Sequence, residues 1–316
     1  MAWRRSEAKQ GVVALLAAAV TFAVLSLTSL AWAEDPKRVE WSQDWPRVRL
    51  VEVVDVVALT VASFEIDAQW APPAKPRWSG GILFDDWVRR GLRGRSYAAQ
   101  STAIDVADAL YKGGVLAPYI VDVYIVALGI HQSVDVAVQM LLINMQSLGL
   151  AGVTTLASEH LGARGRPYSL DCGPDGQVRD ATGKLLANRC DGYADNQSFY
   201  SGHAAATATM AGLTCVHHQH LPLYGGGFAD LAPCLVMIGA SAVTGVGRVV
   251  ADRHWASDVL LGWGVGALSG YVLPSILHYG FTRGHPVGEV KFESVQMVPV
   301  PQAYPGGAGL GVAGFF

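Results

Sequence analysis

His254 and Asp258 stand four residues apart in the last third of the chain, with Arg248 six positions upstream of the histidine. On a helix that spacing puts an imidazole and a carboxylate on one face, within reach of each other. A carboxylate so placed fixes the ring's tautomer and leaves the second nitrogen free to attack phosphorus. Ser201-Gly202-His203 precedes an apolar run of small residues, so its backbone N–H groups lie at the positive end of a helix, where a phosphate fits. There Gly202 admits the anion close to the backbone, Ser201 offers a hydroxyl, and His203 is placed to protonate a leaving alkoxide. Arg166 and Arg248 supply forked donors for the equatorial oxygens, which gain charge in phosphoryl transfer. Singly, each has an ordinary structural reading: an Arg-Pro helix end, an N-cap serine, a His–Asp bond at a helix start. Together they point to phosphoryl transfer through a histidine.

Helices have to carry these groups. Long apolar segments are expected at 117–130, 134–160, 203–217, 234–246 and 256–278, the pattern of a helix bundle. Ahead of them, Arg49, Glu52 and Asp55 recur every third residue in a Val-rich stretch, which favours a helix over 46–66 with one polar face. Pro72, Pro73, Pro76 and Gly80-Gly81 mark a linker, and Arg89, Arg90, Arg93 and Arg95 read as a solvated surface. Ser101 or Thr102 is expected to cap a helix that Gly113-Gly114 ends. The polar stretch from Tyr168 to Ser198 is a loop able to overhang a site, and the Pro- and Gly-rich tail after Arg283 is loose or strand-like. The organisation expected is a leader or anchor at 1–33, a helical and linker region at 34–114, a catalytic core at 115–280 and a tail at 281–316.

Three segments in this order resemble the type 2 phosphatidic acid phosphatase and vanadium haloperoxidase superfamily, whose signature is K-x6-R-P, then P-S-G-H, then S-R-x5-H-x3-D. The matching stretches are Glu159 to Arg166-Pro167, Tyr200-Ser201-Gly202-His203, and Gly247-Arg248 with His254 and Asp258. The resemblance covers about half the chain, and its three-part spacing is more specific than any lone motif. It implies an all-α bundle with the site at one end, and a phosphoric ester hydrolase needing neither metal nor other cofactor. By position, His254 forms a phosphohistidine, Asp258 orients it, and His203 is the general acid. Arg166, Ser201, Gly202 and Arg248 bind phosphate. The substrate expected is a phosphorylated small molecule, a lipid phosphate or a lipid pyrophosphate.

Three positions depart from that signature. Glu159 replaces a cation with an anion beside a dianionic ligand; two readings follow, that Arg164 in the same loop swings in as the substitute or that Glu159 points away from the anion. Tyr200 for proline and Gly247 for serine alter a turn and remove a hydroxyl. Two other readings stand beside the phosphatase: a vanadium-dependent haloperoxidase, made less favourable by the missing lysine, and a catalytically silent phosphate-binding or membrane-associated protein.

Hydrophobic residues make up 51% of the 316 and charged ones 16%, between an ordinary soluble enzyme and a polytopic transporter. A net charge of −3 with no basic stripe argues against nucleic acid as a partner. Arg4, Arg5 and Lys9 precede an apolar run over 11–30 and Ala31-Trp32-Ala33, which reads as a signal peptide cleaved after Ala33, an uncleaved anchor being the competing reading. Either places the site outside the cytoplasm. A membrane span needs about 20 apolar residues. The stretches 203–217 and 234–246 offer fewer, so a periplasmic bundle is expected, with membrane association as the alternative. Four cysteines in an oxidising compartment permit two disulfides, Cys172–Cys190 and Cys215–Cys234 by proximity, against four buried thiols. His217, His218 and His220 lie far along the helix from His203 and read as a solvated helix end.

Overall fold

The computed structural model describes residues 39–70, 74–190, 192–280, 296–304 and 307–315. The expected leader or anchor lies outside the described residues. Seven α-helices form the body: α1 (Leu50–Gln69), α2 (Asp85–Leu92), α3 (Tyr97–Ala117), α4 (Val134–Gly162), α5 (Gly202–His220), α6 (Phe228–Val250) and α7 (Ala256–Ala267). π-Helical segments extend α3 over Pro118–Ile130 and continue α7 through Leu268–Val272 and Ser275–Tyr279. The all-α bundle expected from the sequence is what the chain forms.

Its boundaries differ in instructive ways. α3 is capped by Ser96, whose hydroxyl accepts from Ala99 N, and not by Ser101 or Thr102. It runs through Gly113-Gly114 without stopping, because Gly114 is buried in a helix contact near Thr207 and Met237, where tertiary packing outweighs its low helix propensity. α6 begins six residues before the expected start and carries Pro233 inside it. Among the described residues, four helical stretches are long and apolar enough to cross a membrane: Tyr97–Ile130, Val134–Gly162, Phe228–Val250 and Ala256–Tyr279. The stretch 234–246, expected to be too short for a span, is thus part of one that is long enough. The outward residues of α6 and α7 agree with it: Leu235, Val236, Ile238, Val243, Val246, Leu260, Leu261 and Leu268 are all exposed and all apolar. Such a contiguous belt marks a surface that meets something other than water.

α5 is the central helix and packs against α3, α4, α6 and α7. One end of the bundle gathers the C-termini of α4 and α6 and the N-termini of α3, α5 and α7. There Gly94 N donates to Val250 O, and Trp78 Nε1 donates to Gly162 O. The other end is the hydrophobic core of Trp41, Trp45, Val126, Ile143, Leu213 and Tyr279. His217, His218 and His220 belong to that end and are buried, contrary to the solvated helix end expected. His217 bridges Tyr279 Oη and Asn144 Oδ1, and His218 sits between Asp230 and Asp122. Burial forces such partners on polar groups, and these histidines have them.

Between α4 and α5 the polar loop folds a short hairpin, β1 (Gln177–Arg179) antiparallel to β2 (Leu185–Arg189). Cys172–Cys190 closes it, and Cys215–Cys234 staples α5 to α6, as the spacing suggested. The tail is strand-like: β3 (Gln296–Tyr304) pairs antiparallel with β4 (Gly307–Phe315).

Candidate active site

Ser201 is the N-cap of α5, with extended backbone and its hydroxyl accepting from Ala204 N. Its own N–H donates to Asp258 O, which ties the start of α5 to the first turn of α7. Glycine permits that approach. A Cβ on Gly262 would lie 2.7 Å from Ser201 O, and one on Gly202 would come within 3.0 Å of Thr155 Cγ2. The helix N-terminus with Gly202 at its head is therefore locked against α4 and α7.

His254 lies in the turn between α6 and α7 and is 2% exposed. Its Nδ1 is 2.8 Å from the carbonyl oxygen of Ser198. A carbonyl only accepts, so Nδ1 carries the proton and Nε2 keeps its lone pair. Nε2 faces Arg166 Nη1 at 3.3 Å. Burial, then the charges of Arg166 and Arg248, hold the His254 imidazole well below its usual range, so the ring is neutral. A neutral imidazole with one tautomer fixed is the form required of a nucleophile.

Asp258 is not the residue that touches the ring. Its Oδ2 accepts from Ser198 Oγ at 2.6 Å and from Trp255 N at 3.0 Å, and its Oδ1 pairs with Arg164. The four-residue spacing fails here because His254 precedes the N-cap Trp255 and is outside the helix, while Asp258 caps that helix. Asp258 thus reaches His254 only through Ser198, whose hydroxyl it holds and whose carbonyl receives the imidazole.

Arg166 is held by Ala194 O at 2.8 Å on Nε and by Arg253 O at 3.1 Å on Nη1. Arg248, 5% exposed, donates from Nη1 to Asp108 Oδ1 at 3.0 Å, and its buried Nε has no partner among the described residues. The same Asp108 oxygen is 2.9 Å from Nε2 of His203, whose ring lies 4.4 Å from that of Tyr111. His254 lies within electrostatic reach of His203, Arg166 and Arg248, and Glu159 within reach of both arginines. Two imidazoles, two guanidiniums and a helix N-terminus thus converge on one end of the bundle.

Arg164 is placed elsewhere. Fully buried, it clamps Asp85 and Asp258 at 2.7 and 2.5 Å, donates to Gly80 O and Ser257 Oγ, and lies over the Trp78 and Trp255 rings. The expectation that it swings in for the missing lysine does not survive, because moving it would strand two buried carboxylates. Arg89 and Arg93 likewise leave the solvated surface expected of them and pair with Asp171 and Asp252. Asp252 is held at φ +61 in the turn that presents His254.

Sequence reasoning missed Asp108, Ser198 and Asp85. Asp105 and Asp108 within a largely apolar helix were a usable signal, since such groups are rare without a partner. Ser198 acts through its backbone and leaves no signal in residue type.

With this geometry in view, residues 140–281 match the family described as the PAP2 superfamily. No curated protein matches the chain. Among solved structures, a transmembrane PAP2-type phosphatidylglycerolphosphate phosphatase from Bacillus subtilis is similar at 14% identity, over 71% of this chain and 94% of that one, with a TM-score of 0.43.

Proposed function

We propose, because residues 140–281 belong to the PAP2 superfamily, whose phosphatases are phosphoric ester hydrolases, that this chain hydrolyses a phosphomonoester through a phosphohistidine on His254. The observation that carries this reading is the tautomer of His254: Nδ1 bonded to Ser198 O, Nε2 unprotonated and facing Arg166 Nη1 at 3.3 Å. Nε2 attacks phosphorus in line with the leaving oxygen. As the P–O bond breaks, His203 gives a proton to the leaving oxygen, an alkoxide from a monoester or a phosphate oxygen from a pyrophosphate. Water then attacks the phosphohistidine, His203 takes its proton, and inorganic phosphate leaves. Arg166, Arg248 and the backbone at Ser201-Gly202 neutralise the equatorial oxygens, whose charge grows at the transition state. Asp108 acts as a positioning residue, holding His203 and Arg248 on one carboxylate oxygen.

The substrate is a lipid phosphate or lipid pyrophosphate, and the protein is an integral membrane enzyme acting outside the cytoplasm. Four helices suited to a membrane among the described residues and the apolar outward faces of α6 and α7 support the membrane setting, and the apolar run over 11–30 supports the side.

The test is phosphate release from p-nitrophenyl phosphate, a lipid phosphate and a lipid pyrophosphate by wild type and His254→Gln, with acid-labile phosphate trapped on the protein in rapid quench. Release by wild type, loss in the variant and a labelled wild-type protein are expected. Turnover that survives His254→Gln overturns the mechanism, and a preference for soluble monoesters overturns the lipid assignment.

A further inference from the structure

α2 is too short to enter a bilayer and lies across the catalytic end of the bundle, tied at its C-terminus through Gly94 N to the last carbonyl of α6. Its inner face is committed: Asp85 holds Arg164 and Ser257, and Arg89 holds Asp171 and Asp252. Its outer face and approach are exposed among the described residues. Trp87 is 72% exposed and Leu83 90% exposed, with Phe84, Ile82 and Leu92 also open. Leu83 has φ +53, a strained conformation for a branched side chain, yet its side chain gains no burial from it.

Beside these apolar groups stands a cleft of about 230 Å³ lined only by Arg89, Arg90, Arg93 and Arg95. Arg89 and Arg93 are neutralised by Asp171 and Asp252, whereas no ion pair engages Arg90 or Arg95 among the described residues. A second hollow, lined by Trp87, Val88, Arg90, Gly91 and Leu92, adjoins it. α2 packs on α6 and α7, with Val88 against Val249 and Val259, and the exposed apolar residues of those two helices include Val246 and Leu260. An amphipathic aromatic, exposed aliphatics and unpaired arginines beside such apolar faces form the pattern of a segment seated at a membrane–water interface.

We infer that α2 with residues 82–84 is an interfacial segment that docks on anionic lipid headgroups beside the active site, Trp87 and Leu83 inserted at the acyl boundary and Arg90 and Arg95 contacting lipid phosphates. This rests on the reading of the bundle as membrane-embedded, and not on the phosphatase reaction. The cation pair draws an anionic surface to the catalytic mouth, and its attraction falls with salt.

Depth measurement tests this separately from catalysis. All four native cysteines are in disulfides, so a nitroxide attached after Leu83→Cys reports one place. The protein is reconstituted in vesicles of phosphatidylcholine alone, or of phosphatidylcholine and phosphatidylglycerol in equal parts. In the mixed vesicles the label is expected to be reached better by oxygen than by a water-soluble nickel complex. Adding Arg90→Gln and Arg95→Gln, or raising salt, is expected to increase nickel access severalfold there and to change nothing in phosphatidylcholine. A label open to nickel in both vesicles overturns the docking, and a depth indifferent to lipid charge and to the arginine substitutions overturns the headgroup assignment. Both results are readable whether or not the protein releases phosphate.

Discussion

Ser198 holds His254 by its backbone carbonyl, 2.8 Å from Nδ1, while its hydroxyl donates to Asp258 at 2.6 Å. The orienting contact therefore survives loss of the hydroxyl, and what disappears is the brace behind it. Ser198→Ala is expected to lower kcat about tenfold, ~1.4 kcal/mol of transition-state stabilisation, with KM little changed. Steady-state kinetics on p-nitrophenyl phosphate decide it; a loss as complete as that of His254→Gln contradicts the indirect role.

Glu159 stands within electrostatic reach of Arg166 and Arg248, so an ionised carboxylate there is expected to compete with the phosphate. Glu159→Lys removes that competitor and adds a charge-assisted donor, expected to tighten inhibition by orthovanadate at least tenfold, about 1.5 kcal/mol. Unchanged inhibition shows that the side chain points away from the anion.

Arg164 is an ion-pair centre for the fold. Arg164→Ala leaves Asp85 and Asp258 buried without their shared cation, which costs about 3 kcal/mol or more. Denaturant or thermal unfolding in detergent reads this directly. A variant as stable as wild type but with weakened vanadate inhibition restores Arg164 to the phosphate site.

The His254 imidazole is held well below its usual range by burial and by Arg166 and Arg248. The unfolded chain takes up that proton below about pH 6.5 while the folded chain resists it. The folded state thus binds fewer protons, so this residue contributes a loss of stability as pH falls below the unfolded value. Wild type is expected to lose thermal stability between neutral and mildly acidic pH more steeply than His254→Gln. Equal slopes argue against a neutral buried ring.

Residue type and spacing by themselves singled out groups suited to phosphate chemistry and predicted that helices would carry them. The positions 166, 201 to 203, 248 and 254 and both cysteine pairs were readable because each is a local or ordered signal: a cap, a turn glycine, a fixed interval. The tertiary structure decided the partners. His254 and Asp258 look like a helical pair, but the helix starts between them, so a backbone carbonyl from residue 198 takes the place of the carboxylate. Arg164 looks like a spare cation for the phosphate, but Asp85 arrives from another helix and claims it. Asp108, from a helix outside the three motifs, joins His203 to Arg248. Such contacts form between residues about 60 to 140 positions apart, where no periodicity or propensity acts, and only the packing of α2, α3, α5, α6 and α7 at one end of the bundle brings them within hydrogen-bond length.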